Sequence, residues 1–487
     1  MSVASLFLIA FGAPLLRAAL SAFLPRPPGL RDALNVLLAL AQAGACVALA
    51  FAAARGADAT IVLARPLPDV AFALALEPLG AAAAAALSVL GALHALHTAA
   101  WLRAARDPTP GRMQAFIALC AFMTMGVAFS ANLFALFVFY QGLTLASAPL
   151  IAHAGDERAR RAARLHLSML LGASIALLLP AIVWTYALAG DVTFRAGGVL
   201  AGHATPIIAD VLLALFVFGF AKAALPPVHR WLPEGSQASF PAIATVQALA
   251  VLPAGAIGIL KTTLYVFGPA MSEAQTAARL LLALAGATMC VAALNALGKS
   301  DIRARMAYAM VAQNAAVIAG AMLAAPPSYF AAILQLIAQS AGALTLIMAF
   351  ANVEAATGRL TVNTFTGLGR VMPWTFAAVA IGAAGIIGLP PLAGAWPRLW
   401  LMTASAEGHA IWAGGLAALG AIAAFACFAP LAAKALVGAA PEDPFRRPDG
   451  ASIGLVAPVV LTAAATASLI FVVDPLAQFL AQLWGAP

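Results

Sequence analysis

The sequence predicts an all-α, polytopic membrane protein of about fourteen transmembrane helices, and three observations carry that reading. The chain is 64% hydrophobic and only 9% charged over 487 residues, with a mean hydropathy of +0.98, which leaves too little polar surface for a soluble chain of this size. Apolar runs of about 20 residues, the length that crosses a bilayer as a helix, recur from end to end with short loops between them. Lysine and arginine crowd into alternate loops.

The runs follow in order. The first, 3–25, carries Arg17 late and has no small-residue cleavage site, so it reads as a retained span with Arg17 snorkelling to the near surface. The second is 32–54. The stretch 57–75 is weaker and reads as a loop. The third, 76–102, holds His94 and His97 at i, i+3; two ligands are too few for a metal site, so they read as packing or interfacial residues. Next come 112–130, 131–152, 164–189, 206–226 and 241–267, then 276–298, 303–325, 328–352, 373–396, 410–437 and 453–483. Glu77, Asp210 and Asp474 lie near span ends and read as solvated. No stretch is long enough for a soluble domain, so 1–487 reads as one integral membrane domain.

Loop charge sets an expected orientation. One set of loops carries Arg26 and Arg31; Arg103, Arg106 and Arg112; Arg158, Arg160, Arg161 and Arg164; Arg230; Lys299, Arg303 and Arg305; Arg359 and Arg370; Arg446 and Arg447. The other set has Arg55, Arg65, Arg195 and Arg279. The richer set is expected in the cytoplasm, with both termini outside a bacterial-type inner membrane. The run DERARRAARLH at 156–166 then reads as a cytoplasmic anchor. The net charge of +8 is spread over these loops and forms no patch for nucleic acid. Cys46, Cys120, Cys290 and Cys427 each stand alone in an apolar run, without metal-ligand spacing. No nucleotide loop, Rossmann turn, haem motif or iron–sulfur cysteine set occurs. No cofactor, metal or catalytic residue is expected, and any catalysis would come from partners.

Two spans contain the same interruption. Leu225-Pro226-Pro227 and Leu389-Pro390-Pro391 lie about 160 residues apart, each with a basic residue near it, Lys222 or Arg398. Proline breaks a helix, and a lysine in an apolar run costs roughly 3 kcal/mol on insertion scales. Paired interruptions in two halves point to an inverted-repeat transporter with sites near the midplane.

Four segments together resemble a known family. They are KAALPPVHRWLPEGSQASFPA around Lys222, NLFALFVFYQGLTLASAPLIAH at 132–153, SDIRARMAYAMVAQ at 300–313, and GLGRVMPWTFAAVAIGAAGIIGLPPLAG at 367–394. Over roughly 75–490 the chain resembles the antiporter-like subunits of respiratory complex I, of Mrp-type sodium/proton antiporters and of membrane-bound hydrogenases. The resemblance implies fourteen helices, with N-terminal helices at 1–110, two inverted five-helix repeats at 111–267 and 268–437, a C-terminal helix at 438–487, and broken helices seven and twelve. It implies a hydrophilic axis along the midplane and, as candidate ion-path residues, Lys222, His229, Lys261, Arg398, Gln141, Gln247, Gln335 and Gln339.

The chain departs from the family at the proton-exchanging positions. The glutamate expected on the fifth span is Gln141, while Lys222 is kept. The lysine of the eighth span falls at Pro253, with Lys261 two turns on as a substitute. Histidines of the eighth and eleventh spans fall at Gln247, Gln335 and Gln339, the later eleventh-span lysine at Ala343, and the twelfth-span lysine at Arg398. Glutamine keeps hydrogen bonding without changing charge, and arginine stays protonated at any working pH. His229 fits either an interfacial anchor or the central path of the family.

The expected function is that of an antiporter-like subunit in proton or cation translocation, with a partly lost proton relay. The alternatives are a non-conducting scaffold subunit of such a complex and the membrane partner of an inorganic-carbon uptake system. The expected partners are other integral membrane subunits, lipid, and protons or sodium ions.

Overall fold

The computed structural model describes residues 2–23, 28–67, 69–358, 360–408, 410–437 and 452–484. Arg26, Arg359, Arg446 and Arg447 of the basic loops lie outside the described residues. Among the described residues, twelve helices are long and apolar enough to cross a membrane, and two shorter apolar ones, Pro206–Gly219 and Pro373–Ile387, are those that stop before the Leu-Pro-Pro repeats.

Burial sorts the helices. Phe240–Phe267, Ile302–Leu323 and Pro326–Thr357 lie at the centre, with 94–100% of their apolar windows buried. Val3–Phe23, Gly29–Ala54, Ile411–Leu436 and Ile453–Ala481 sit at the periphery, with 33–39% buried. Alanine and glycine let backbones approach closely where the surrounding lipid supplies no hydrophobic drive. Gly255 shows the need: a Cβ there would overlap the backbone of Lys222 and Ala223, so the helix Val251–Thr262 bears directly on the broken segment.

Three features depart from the sequence expectation. The sixth span begins at Glu157 rather than near 164, because Asp156 caps it by accepting from Ala159 N at 2.7 Å, so the basic run forms its first turns. The stretch 57–75 is not a loop but an antiparallel hairpin, β1 (Thr60–Leu67) and β2 (Val70–Ala75), with Thr60 opposite Ala75 and a bulge on either side of Ala64. Its free edge is covered by the chain between two spans: Ala131 N donates to Ala73 O at 3.0 Å and Asn132 Nδ2 to Ala71 O at 2.6 Å. Arg17 does not snorkel. It is 3% exposed and its Nε donates to Asn35 Oδ1 at 3.4 Å inside the N-terminal helices.

Both breaks leave carbonyls without helical donors, and side chains supply them. After Gly219 the chain makes one 3₁₀ turn, Ala221–Ala223, and passes through Ala224 at φ 57 to a cis Pro226-Pro227 bond. Trp231 Nε1 donates to Ala221 O at 2.9 Å and Asn314 Nδ2 to Ala223 O at 2.6 Å. The second break, past Gly388 at φ 80, also holds a cis bond, Pro390-Pro391, and Arg398 Nη2 donates to Ile386 O at 2.8 Å. The chain resumes as Ala395–Glu407.

Overpacking at the first break is testable. Gly255→Ala is expected to lower stability by about 1–3 kcal/mol. Gly44→Ala, which places its Cβ in open space, is expected to be neutral or slightly stabilising. Thermal unfolding of the two variants in mild detergent checks the difference.

Candidate functional site

Lys222 is fully buried at the first break. Its Nζ donates to Tyr140 O at 2.8 Å and to Thr144 Oγ1 at 2.6 Å, and lies 3.3 Å from the Tyr140 ring centroid. Its backbone N donates to Tyr140 Oη at 3.0 Å. Helix Leu133–Ile151 therefore receives the ammonium through a carbonyl, a hydroxyl and a π face, with no carboxylate. Gln141 is not among these groups. It exchanges hydrogen bonds with Ser174 Oγ at 2.7 and 3.0 Å, at a π-helical turn, Ser174–Leu178.

Polar contacts continue from Thr144 toward the sixth helix. Ser147 Oγ donates to Thr144 O at 3.1 Å and stands 2.8 Å from His166 Nε2. His166 is fully buried and packs edge-on against Trp231 at 5.2 Å between centroids. The run at 156–166 is thus not only an anchor, since its last residue reaches the Lys222 neighbourhood.

On the backbone side of Lys222 begins a second set of contacts. Asn314, bonded to Ala223 O, accepts from Gln339 Nε2 at 3.1 Å. Gln335 Nε2 donates to Gln339 Oε1 at 3.5 Å and to Gln313 Oε1 at 3.0 Å. Arg398 Nη2 donates to Gln313 Oε1 at 3.0 Å. Four amides on two central helices thus join the two breaks, starting at a backbone carbonyl rather than at the Lys222 ammonium.

Lys261 belongs to a different cluster. It is fully buried, and its Nζ lies 3.1 Å from Glu77 Oε1 and donates to Ser130 O at 2.9 Å. Glu77 is not simply solvated: it caps helix Pro78–Ala104, accepting from Leu79 N and Gly80 N at 2.9 and 2.7 Å, and takes the Tyr265 hydroxyl at 2.5 Å. The hairpin explains the placement. Strand β2 runs straight into Glu77, and its edge docks on the 130–132 turn whose carbonyl meets Lys261.

The other candidates stand apart. Gln247 is buried in the π-helical turn Thr245–Leu249, its Oε1 unpartnered among the described residues. Pro253 cannot donate to Leu249 O, and the helix loosens there, with Ala250 N reaching back to Thr245 O at 2.8 Å. His229 is half-buried, and its Nδ1 meets no partner among the described residues. His94 and His97 are packing residues with separate partners, Thr245 Oγ1 at 3.2 Å and Asn352 Oδ1 at 2.9 Å. Asp210 is half-buried and accepts from Ala277 N at 2.8 Å. Polar residues inside apolar runs, Thr144, Ser147, Gln313 and Asn314, were the signal for the groups that the motif reading passed over.

Residues 130–423 match the family described as "NADH:quinone oxidoreductase/Mrp antiporter, TM". A probable K(+)/H(+) antiporter protein of Rhizobium meliloti (strain 1021) is 25% identical over 331 residues, 66% of this chain but 32% of its own length. NADH-quinone oxidoreductase subunit N of Desulforudis audaxviator (strain MP104C) is 26% identical over 385 residues, 77% of this chain and 75% of that one. A chain in the structure of the Mrp complex from Dietzia sp. DQ12-45-1b superposes with a TM-score of 0.85 at 22% identity, over 99% of this chain and 98% of that one, a likeness of fold.

Breaking one side of the Glu77–Lys261 pair strands a buried charge. Glu77→Ala is expected to cost about 3–5 kcal/mol, and Glu77→Ala/Lys261→Met to recover roughly half of that or more. Thermal unfolding in detergent measures both, and simple additivity would show the two side chains to be uncoupled.

Proposed function

The chain belongs to the NADH:quinone oxidoreductase/Mrp antiporter membrane family, and on that premise we propose that it works as an antiporter-like subunit in a multi-subunit membrane complex that moves protons or cations, with an axis of its own that is not a complete proton relay. One observation carries this: the buried chain Asn314, Gln339, Gln335, Gln313 between the two breaks. Amides hold hydrogen bonds but neither release nor take up a proton at working pH. Arg398 at the far end stays charged as well. A titratable relay needs groups that change charge, and here these are confined to the Lys222–His166 side and the Lys261–Glu77 cluster.

In this reading the amide chain keeps the two breaks in register and transmits charge effects between them, while protons cross elsewhere in the complex. The basic loops support a bacterial inner membrane with both termini outside. A non-conducting scaffold is the second reading, and the same amide chain favours it.

Flux in vesicles holding the whole complex tests the proposal. Lys222→Met keeps the side-chain volume and removes the charge. At matched assembly, coupled proton or sodium flux is expected to stay within about twofold of wild type. Loss of coupled flux in a normally assembled Lys222→Met complex would make Lys222 a working relay group and sink the reading.

A further inference from the structure

We propose that the cleft between the ends of the first four helices binds the phosphate group of an anionic membrane lipid. The cleft has a volume of ≈ 600 Å³ and is lined by Arg31, Arg103, Arg106 and Arg112, over a floor that includes Ala99 and Leu102. It lies where helices Val3–Phe23 and Pro78–Ala104 end and helices Pro28–Ala54 and Pro110–Phe129 begin. None of its residues belongs to the polar axis or to the Lys261 cluster.

The two carboxylates in the cleft are already engaged. Asp32 accepts from Gln114 Nε2 at 2.9 Å and Arg103 Nη1 at 3.3 Å, with Arg31 Nη2 at 3.5 Å. Asp107 is 2.9 Å from His153 Nε2 and accepts from Thr109 N at 2.8 Å. Neither Arg106 nor Arg112 has a carboxylate partner among the described residues; Arg112 Nη2 donates to His153 O at 2.9 Å. The Arg31 side chain is 13% exposed, and its Nε is buried with no acceptor among the described residues. Like charges gathered around one cavity repel unless an anion lies between them. The planar guanidinium fork matches phosphate oxygens.

Size and surroundings favour a lipid over free phosphate. The volume falls within the range of organic-ligand pockets, about 300–1,000 Å³, far above the needs of a bare ion. Leu15, Leu16 and Phe23, 43, 48 and 85% exposed, run up the first helix toward the cleft and offer acyl chains an apolar path. Basic pockets between helix ends at the membrane surface hold anionic headgroups in this way.

Native mass spectrometry of the full chain, titrated with phosphatidylglycerol or phosphatidylcholine, tests this. Arg106→Gln/Arg112→Gln is expected to weaken phosphatidylglycerol retention about 5-fold per arginine and about 25-fold for the pair. Arg158→Gln/Arg161→Gln removes the same charge from exposed positions on the sixth helix and is expected to leave retention within about twofold. Arg106→Lys/Arg112→Lys guards against misfolding and should retain most of the lipid. Equal loss in the Arg158/Arg161 control, or equal retention of phosphatidylcholine, overturns the site. Inorganic phosphate binding without lipid retention overturns the lipid assignment. Loss of a neighbouring subunit from the complex in the Arg106/Arg112 variant, with lipid retention unchanged, assigns the cleft to an acidic protein segment instead.

Discussion

A helix broken inside a membrane frees carbonyl groups that no water can meet, and the centre of this fold is arranged around that constraint. Ala221 O takes the Trp231 indole, Ala223 O takes Asn314, and Ile386 O takes Arg398. Asn314 and Gln313 are neighbours on one central helix, so satisfying the first break and the second recruits adjacent residues of the same turn. Gln335 and Gln339, one turn apart on the long helix Pro326–Thr357, close the gap between them. The polar axis is thus anchored at both ends on broken backbone.

The two buried lysines are accommodated by different physics. Lys261 has a carboxylate partner, so its cluster is close to neutral and its direct attraction is undiluted by water. Lys222 is held by oriented dipoles: the Tyr140 carbonyl, the Thr144 hydroxyl and the Tyr140 ring face. Dipoles favour a cation less than a carboxylate does, but they carry no proton of their own to exchange near neutral pH. The fifth span therefore still supports the lysine although it no longer offers it an acid. Gln141, at the position where the family places that acid, faces Ser174 and serves helix packing.

The hairpin Thr60–Ala75 shows how a small surface element sets a buried pair. Its edge joins the 130–132 turn, and its last strand delivers Glu77 to the start of helix Pro78–Ala104. There the carboxylate meets two helix N–H groups, a tyrosine hydroxyl and the Lys261 ammonium together. The partner absent from the fifth span is thus present for another lysine, from another part of the chain.

The sequence by itself determined the membrane class, the approximate spans, the family, the two interruptions and the loss of acids and histidines along the axis. Each of these is written in local composition or in motif order, which span length and proline chemistry translate directly into structure. Only the tertiary structure decided which polar groups meet. Glu77 and Lys261 are 184 positions apart, and nothing in either neighbourhood marks the other. Gln141 and Thr144 sit three residues apart on one helix, yet the Lys222 ammonium meets Thr144 and the Tyr140 carbonyl while Gln141 turns to Ser174, because helical rotation gives each a different neighbour. In a helix bundle this apolar the pattern of spans is local, but the pairing of buried polar side chains depends on helix rotation and packing, which are properties of the assembled fold.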